Sequence, residues 1–424
     1  MKLQLRFLPF LAFAILALLF AMWAGLLRMG WALPAFDNLA IAHGPLMVSG
    51  FLGVLIPLER AVAIRQKWMF GVPIIAGVGW VSLLFAPRVG AVLLTLGSLG
   101  TLAILGVMVK REPHIHTITM GVGALAFVVG NFLWMMGLPI FQIVFWWMTF
   151  LVLTIGGERL ELSRVLKPTP GQIRLFSLVA AALVAGAILA TFDLNSGSRL
   201  GGAAMLGLGF WFLRYDLASR NIRHPNPLTR YIAICLFGGY FWLVIAGGMF
   251  LYHGALYAGP LYDAALHAVF VGFVFAMIFG HAPIIFPAIL GAQIKFYPVF
   301  YAHLILLHLS LITRIVGDLT NQMEIRKWGG LLNETAILLF LALTVFPLSK
   351  GGRNNAHHHA LVYQSRTRLP RFGFGGGNLA AGRERCGDVP RLPTPVDLRL
   401  ADPIDLRRRH LDVSNAQQRT SART

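Results

Sequence analysis

Six of the thirteen histidines, His43, His253, His267, His281, His303 and His308, fall within or at the edge of long apolar runs. An ionisable ring at membrane depth is costly, turns toward a bundle interior, and marks ligand, ion or proton chemistry. His267 and His281 share one run, fourteen residues apart. At about 100° and 1.5 Å per residue they point to one helix face, roughly 21 Å apart along its axis. One helix can thus offer imidazole ligands to two levels of a membrane.

The apolar runs have the length that a membrane-crossing helix needs, about 17–25 residues. Twelve fall near 7–27, 38–58, 69–86, 89–109, 117–137, 138–157, 175–191, 197–213, 231–252, 262–287, 296–316 and 329–348. A lone apolar segment satisfies its backbone in lipid only as a helix, so the fold class is all-α, a polytopic helical bundle. Gly137-Leu138-Pro139 joins the fifth and sixth runs so closely that they form a hairpin. The basic residues orient the bundle. With a cytoplasmic N-terminus, seventeen of the 36 Lys and Arg fall in cytoplasmic segments, six in external ones and thirteen in residues 351–424. That bias predicts N-in/C-in topology. The Lys2 and Arg6 flank of the first run looks like a signal peptide, but no small-residue cleavage site follows Trp23-Ala24-Gly25, so an uncleaved span is expected.

Composition agrees: 57% of the 424 residues are hydrophobic and 12% charged, against about 25% charged in soluble domains. This excludes an ordinary soluble enzyme. The net charge of +19 marks orientation and a basic tail, with no call for nucleic acid. The chain therefore divides into a membrane domain, 1–350, and an Arg-rich cytoplasmic tail, 351–424, expected to be disordered because it cannot bury enough apolar surface. The tail's excess of arginine suits anionic lipid headgroups. Cys235 and Cys386 lack a Cys-x-x-Cys partner, which excludes zinc ribbons and covalently attached haem.

Depth then pairs the histidines. His43, near the outer end of span two, matches His267 of span ten, and the two are placed to ligate one haem from opposite faces. His303 in span eleven matches His281 by depth, and these two are candidate ligands of a second metal; His308, about 140° round the helix from His303, is a candidate ligand for a separate site at mid-membrane. Met47 and Gly50 share a face with His43, and Gly272 stands near His267. Glycine admits a flat macrocycle, although it also packs helices. Arg314 is the candidate partner of haem propionates. Glu334 is an intramembrane acid suited to proton uptake or to bonding a ligand histidine. Glu59-Arg60 and Glu158-Arg159 read as local salt bridges. No lysine or arginine reads as a buried partner for a carboxylate.

Three segments resemble one family. His43-Gly44-Pro45-Leu46-Met47-Val48-Ser49-Gly50-Phe51 resembles the His-x-His-Glu-Met-x-x-Gly-Phe segment of the NnrS proteins. Ile155-Gly156-Gly157-Glu158-Arg159-Leu160 resembles their Gly-Gly-Arg turn, and Ala265 to Gly272 their Ala-Leu-His-Ala-Leu-Thr-Val-Gly segment. The resemblance covers roughly residues 1–350. It implies a haem- and copper-containing protein of the bacterial cytoplasmic (inner) membrane, linked to nitric oxide and denitrification, with haem b on His43 and His267. Span two here has one histidine and a Gly-Pro where the family has two histidines and a Glu, which bears on the copper. The expected function is nitric oxide handling or membrane electron transfer, with a redox partner or a small gas as ligand. Two alternatives are a haem–copper-type oxidase or nitric oxide reductase-like subunit, and a secondary transporter without cofactor.

Overall fold

The computed structural model describes residues 5–290 and 296–350; residues 351–424, where the tail was expected, lie outside them. Among the described residues there are helices and no strands. Twelve helices are long: α1 (Leu8–Arg28), α2 (His43–Ile64), α3 (Lys67–Phe85), α4 (Pro87–Arg111), α5 (Ile115–Met135), α6 (Ile140–Leu166), α7 (Pro170–Phe192), α8 (Leu194–Tyr215), α9 (Pro227–His253), α10 (Pro260–Pro287), α11 (Phe300–Leu319) and α12 (Met323–Lys350). Each of the twelve apolar runs has its helix. Over the described residues, ten are long and apolar enough to cross a membrane. The polar Asn195, Ser196, Ser198 and Arg199 open α8, and Glu324, Arg326 and Lys327 open α12.

Local chemistry sets the helix starts. Proline occupies the first turn of α4, α7, α9 and α10, where its missing N–H costs nothing and its fixed φ suits the helix. Thr169 and Gln172 cap α7 reciprocally, and the Asn226 side chain accepts from Leu228 and Thr229 N–H at the start of α9. In the α5–α6 hairpin Gly137 has φ +95°, a left-handed conformation that glycine adopts freely.

Sequence neighbours pack as antiparallel pairs, α1 touches α12, and α10 sits among α2, α6, α9 and α11. The burial follows: the most apolar stretches of α6 and α10 are 78% and 72% buried, against 33% for α7. Peripheral helices expose apolar stripes, such as Val92, Leu96 and Leu99 on α4. Such stripes suit lipid, since water-soluble surfaces rarely carry them. The protein is a helical membrane bundle. Inside it, Asn131 of α5 accepts from Ser49 Oγ at 2.8 Å and Trp147 Nε1 at 3.0 Å and donates to Leu94 O at 3.3 Å. One satisfied amide thereby ties four helices together.

Two helices are not α-helical throughout. Leu46–Leu52 in α2 and Ala268–Phe275 in α10 are π-helical, a wider winding that is rare and concentrates at functional sites. His43 lies one turn before the first segment and His267 immediately precedes the second.

Candidate functional site

α1 presents small residues to α2: Ala14, Ala17, Ala21 and Ala24 are all fully buried, and such stripes let membrane helices approach closely. The approach brings His43 against the α1 backbone, where its Nδ1 lies 2.8 Å from Ala21 O. In α10, His267 Nδ1 lies 2.8 Å from the carbonyl of Asp263, one turn earlier. A carbonyl oxygen only accepts, so both rings donate from Nδ1 and keep their lone pair on Nε2. This is the tautomer of a ligating histidine, whose other nitrogen is oriented by a carbonyl or carboxylate.

The two rings are partners. Their centroids are 6.4 Å apart and their planes differ by 26°. Two metal–nitrogen bonds of about 2 Å each, plus two half-rings, would separate the centroids by about 6 Å, so the spacing is that of two imidazoles sharing one metal. Both histidines line a cavity of about 360 Å³, within the roughly 300–1,000 Å³ of small-molecule sites. Its walls are apolar and aromatic, with Met47, Phe51, Trp147, Phe270 and Phe275, and Arg28, Arg326 and Glu334 supply charge. A single ion needs no such space, whereas a macrocycle does.

An ionic network holds the α10 side of the cavity. Arg314 of α11 donates to both Asp263 oxygens, at 2.7 and 3.0 Å. Arg326 of α12 bridges Asp263 at 3.3 Å and Asp318 at 3.0 Å. The Asp263 carboxylate also approaches His267 Nδ1 at 3.4 Å. Charges buried in this way are paired, as burial demands. Arg314, expected to meet propionates, spends its fork on Asp263, though it lines the cavity. The expectation of no buried arginine partner is overturned here and again at the opposite end of the bundle. There Arg159 pairs with Asp216, the two side chains 5% and 0% exposed, and Arg60 pairs with Glu158. The adjacent acid–base pairs of the sequence bond across helices instead of locally, because successive helical residues do not face each other.

The remaining candidates scatter. Gly50 is packed against Trp80 and Ala17, and Gly272 against Trp242, where an added Cβ would lie 2.4 Å from the indole. Both serve helix packing, and neither lines the cavity. His281 donates from Nδ1 to Met277 O at 2.7 Å, and its buried Nε2 has no hydrogen-bond partner. His303 is bonded to Tyr231, and His308 Nδ1 accepts from Trp242 Nε1 at 2.9 Å. Depth alone had paired His281 with His303; no bond or ring contact joins them. Among the described residues no three His, Cys, Asp or Glu side chains gather as a metal cage.

Residues 6–348 match the family model described as Domain of unknown function (DUF8744). The chain belongs to this family. No curated protein and no solved structure matches it. The DUF8744 region takes in His43, His267, the ionic network and the cavity, and stops before the basic tail.

Two site residues escaped the sequence. Asp263 carried a signal, an acid one turn before a histidine in an apolar run. Gly25 carried less: an added Cβ there would lie 3.0 Å from His43 Cε1 and 3.3 Å from Glu334 Oε1. Gly25→Val is therefore expected to push His43 off Ala21 and, on the haem reading proposed below, to weaken haem retention by about tenfold, the scale of lost outer ligand support. Gly106→Ala, with open space around it, should leave haem content unchanged; titration of both variants with haem checks this.

Proposed function

We propose that this is a haem-binding integral membrane protein in which His43 and His267 hold one haem b. It serves nitric oxide handling or membrane electron transfer, as the resemblance to the NnrS proteins implies. The observation that carries the reading is the His43–His267 pair. Two rings from different helices line one cavity with Nδ1 committed to carbonyls, Nε2 left for ligation, and a 6.4 Å separation. A haem held there by His43 and His267 would supply one-electron exchange or a site for a small gas. The chain's own groups do the rest. Phe51, Trp147, Phe270 and Phe275 exclude water, Arg28 offers charge to a carboxylate, and Asp263 fixes the His267 tautomer. With twelve spans and both termini cytoplasmic in a bacterial inner membrane, the pair lies near the outer surface. There it is within reach of a redox partner or a diffusing gas.

The copper expectation finds less support, since it needs a ligand cluster. A second reading, a cofactor-free transporter, draws on the buried Asp263–Arg314 pair beside two non-α segments, features that transporter sites use. One measurement separates the two. Protein expressed with ample haem and purified in detergent is expected to show a Soret band and a reduced-minus-oxidised difference spectrum. Loss of both from His43→Ala and from His267→Ala supports the pair. A wild type without a Soret band rejects the haem reading and favours transport.

A further inference from the structure

The cavity does not account for a second buried polar pair. Tyr231 of α9 and His303 of α11 are 0% and 1% exposed, and the phenol oxygen lies 2.8 Å from His303 Nε2. Neither residue lines the cavity. A phenol is the better donor and an imidazole lone pair the better acceptor, so the Tyr231 O–H donates to Nε2. His303 Nδ1 then carries its own proton and has no partner. Aromatic rings enclose the imidazole: Phe279 at 4.8 Å, Phe340 at 5.4 Å and Phe300 at 5.8 Å between centroids. These rings keep water away from the pair.

This is the arrangement that one-electron oxidation of a tyrosine requires. A phenol loses an electron at accessible potential only when its proton leaves with it, and a base at hydrogen-bond distance receives that proton. The rings also lead back to the cavity. His303 touches Phe279 at 4.8 Å, Phe279 touches Phe275 at 6.4 Å, and Phe275 touches Phe51 at 6.1 Å. Phe275 and Phe51 both form the cavity wall.

We propose that Tyr231 is a redox-active tyrosine, with His303 as its proton acceptor. One electron leaves the phenol for a one-electron oxidant of the metal-centre class in the His43/His267 cavity, which is reduced by one. The O–H bond breaks, a bond from Nε2 to that proton forms, and a neutral tyrosyl radical stands beside an imidazolium. Return of the electron and the proton restores both. The identity of the oxidant rests on the haem reading; the Tyr231–His303 pair does not.

The test therefore supplies its own oxidant. Detergent-purified protein is oxidised with photogenerated ruthenium(III) tris-bipyridine, frozen, and examined by electron paramagnetic resonance. The wild type is expected to give a tyrosyl signal that narrows when tyrosine is ring-deuterated. Tyr231→Phe should abolish it, His303→Gln should sharply reduce its yield, and Tyr252→Phe, at an exposed position, should leave it intact. Circular dichroism confirms that each variant is folded. A signal unchanged in Tyr231→Phe, or no tyrosyl signal in the wild type, overturns the proposal. Either result leaves the Soret measurement untouched, so the two readings fail separately.

Discussion

On the proposed haem ligation, His267→Gly is expected to lose haem during purification and to regain it when imidazole is added. Removing the side chain deletes one of the two nitrogens that would hold the haem and opens a hole where the ring stood, beside the Asp263 carbonyl that oriented Nδ1. Free imidazole fits that hole, can donate to the same carbonyl, and presents its second nitrogen where Nε2 was. A purely structural histidine gives no such rescue, because a detached ring restores no helix packing. The expected loss exceeds the 10–100-fold that removal of an outer support costs a metal site, and the Soret band during an imidazole titration reads it directly. Haem retention in His267→Gly without imidazole would sink the ligand assignment. Gly25→Val offers the milder companion, since it displaces His43 without deleting it.

Asp216→Ala is expected to destabilise the fold by about 3–5 kcal/mol, the cost of leaving a buried charge unpaired. Arg159 donates to both Asp216 oxygens, at 3.1 and 2.8 Å, and Ser163 Oγ adds a third bond at 3.1 Å. The carboxylate also accepts the Ala218 N–H at 2.7 Å, capping the short helix Leu217–Asn221, which adds about 1 kcal/mol. The double variant Asp216→Ala/Arg159→Met removes both charges and should recover most of the loss. Thermal unfolding midpoints in detergent decide between these outcomes. Equal midpoints for the single and double variants would show that the guanidinium finds another partner.

The helices were legible because membrane depth demands long apolar runs, and the twelve runs became twelve helices. The His43–His267 pair was legible for a narrower reason: two histidines at equal depth on different helices meet if those helices are neighbours. Depth supplies one coordinate of three. For His281 and His303 the same argument failed, because His303 turns to Tyr231 on α9. The ionic network was hidden for the opposite reason. Arg314 read as a propionate partner near a helix end, and only the packing of α11 and α12 against α10 brings it and Arg326 to Asp263. The glycines illustrate a third limit: Gly50 and Gly272 neighbour the site in sequence yet face other helices. The wider winding of Leu46–Leu52 and Ala268–Phe275 left no mark on composition at all.

That winding gives α2 and α10 a phase as well as a direction. A π turn takes in one residue more than an α turn, so each such turn resets the face of everything beyond it by about 100°. His43 and the buried Leu58 and Ala61 belong to one helix but to two angular frames, joined at Leu46–Leu52. Deleting one residue there would keep the hydropathy, the charges and the histidine, and still swing the imidazole away from its partner. The site thus depends on an arithmetic of residue count that substitution at single positions does not probe. Insertions and deletions near His43 and His267 cut into it, whereas the same changes in the loops between helices leave the angular frames alone.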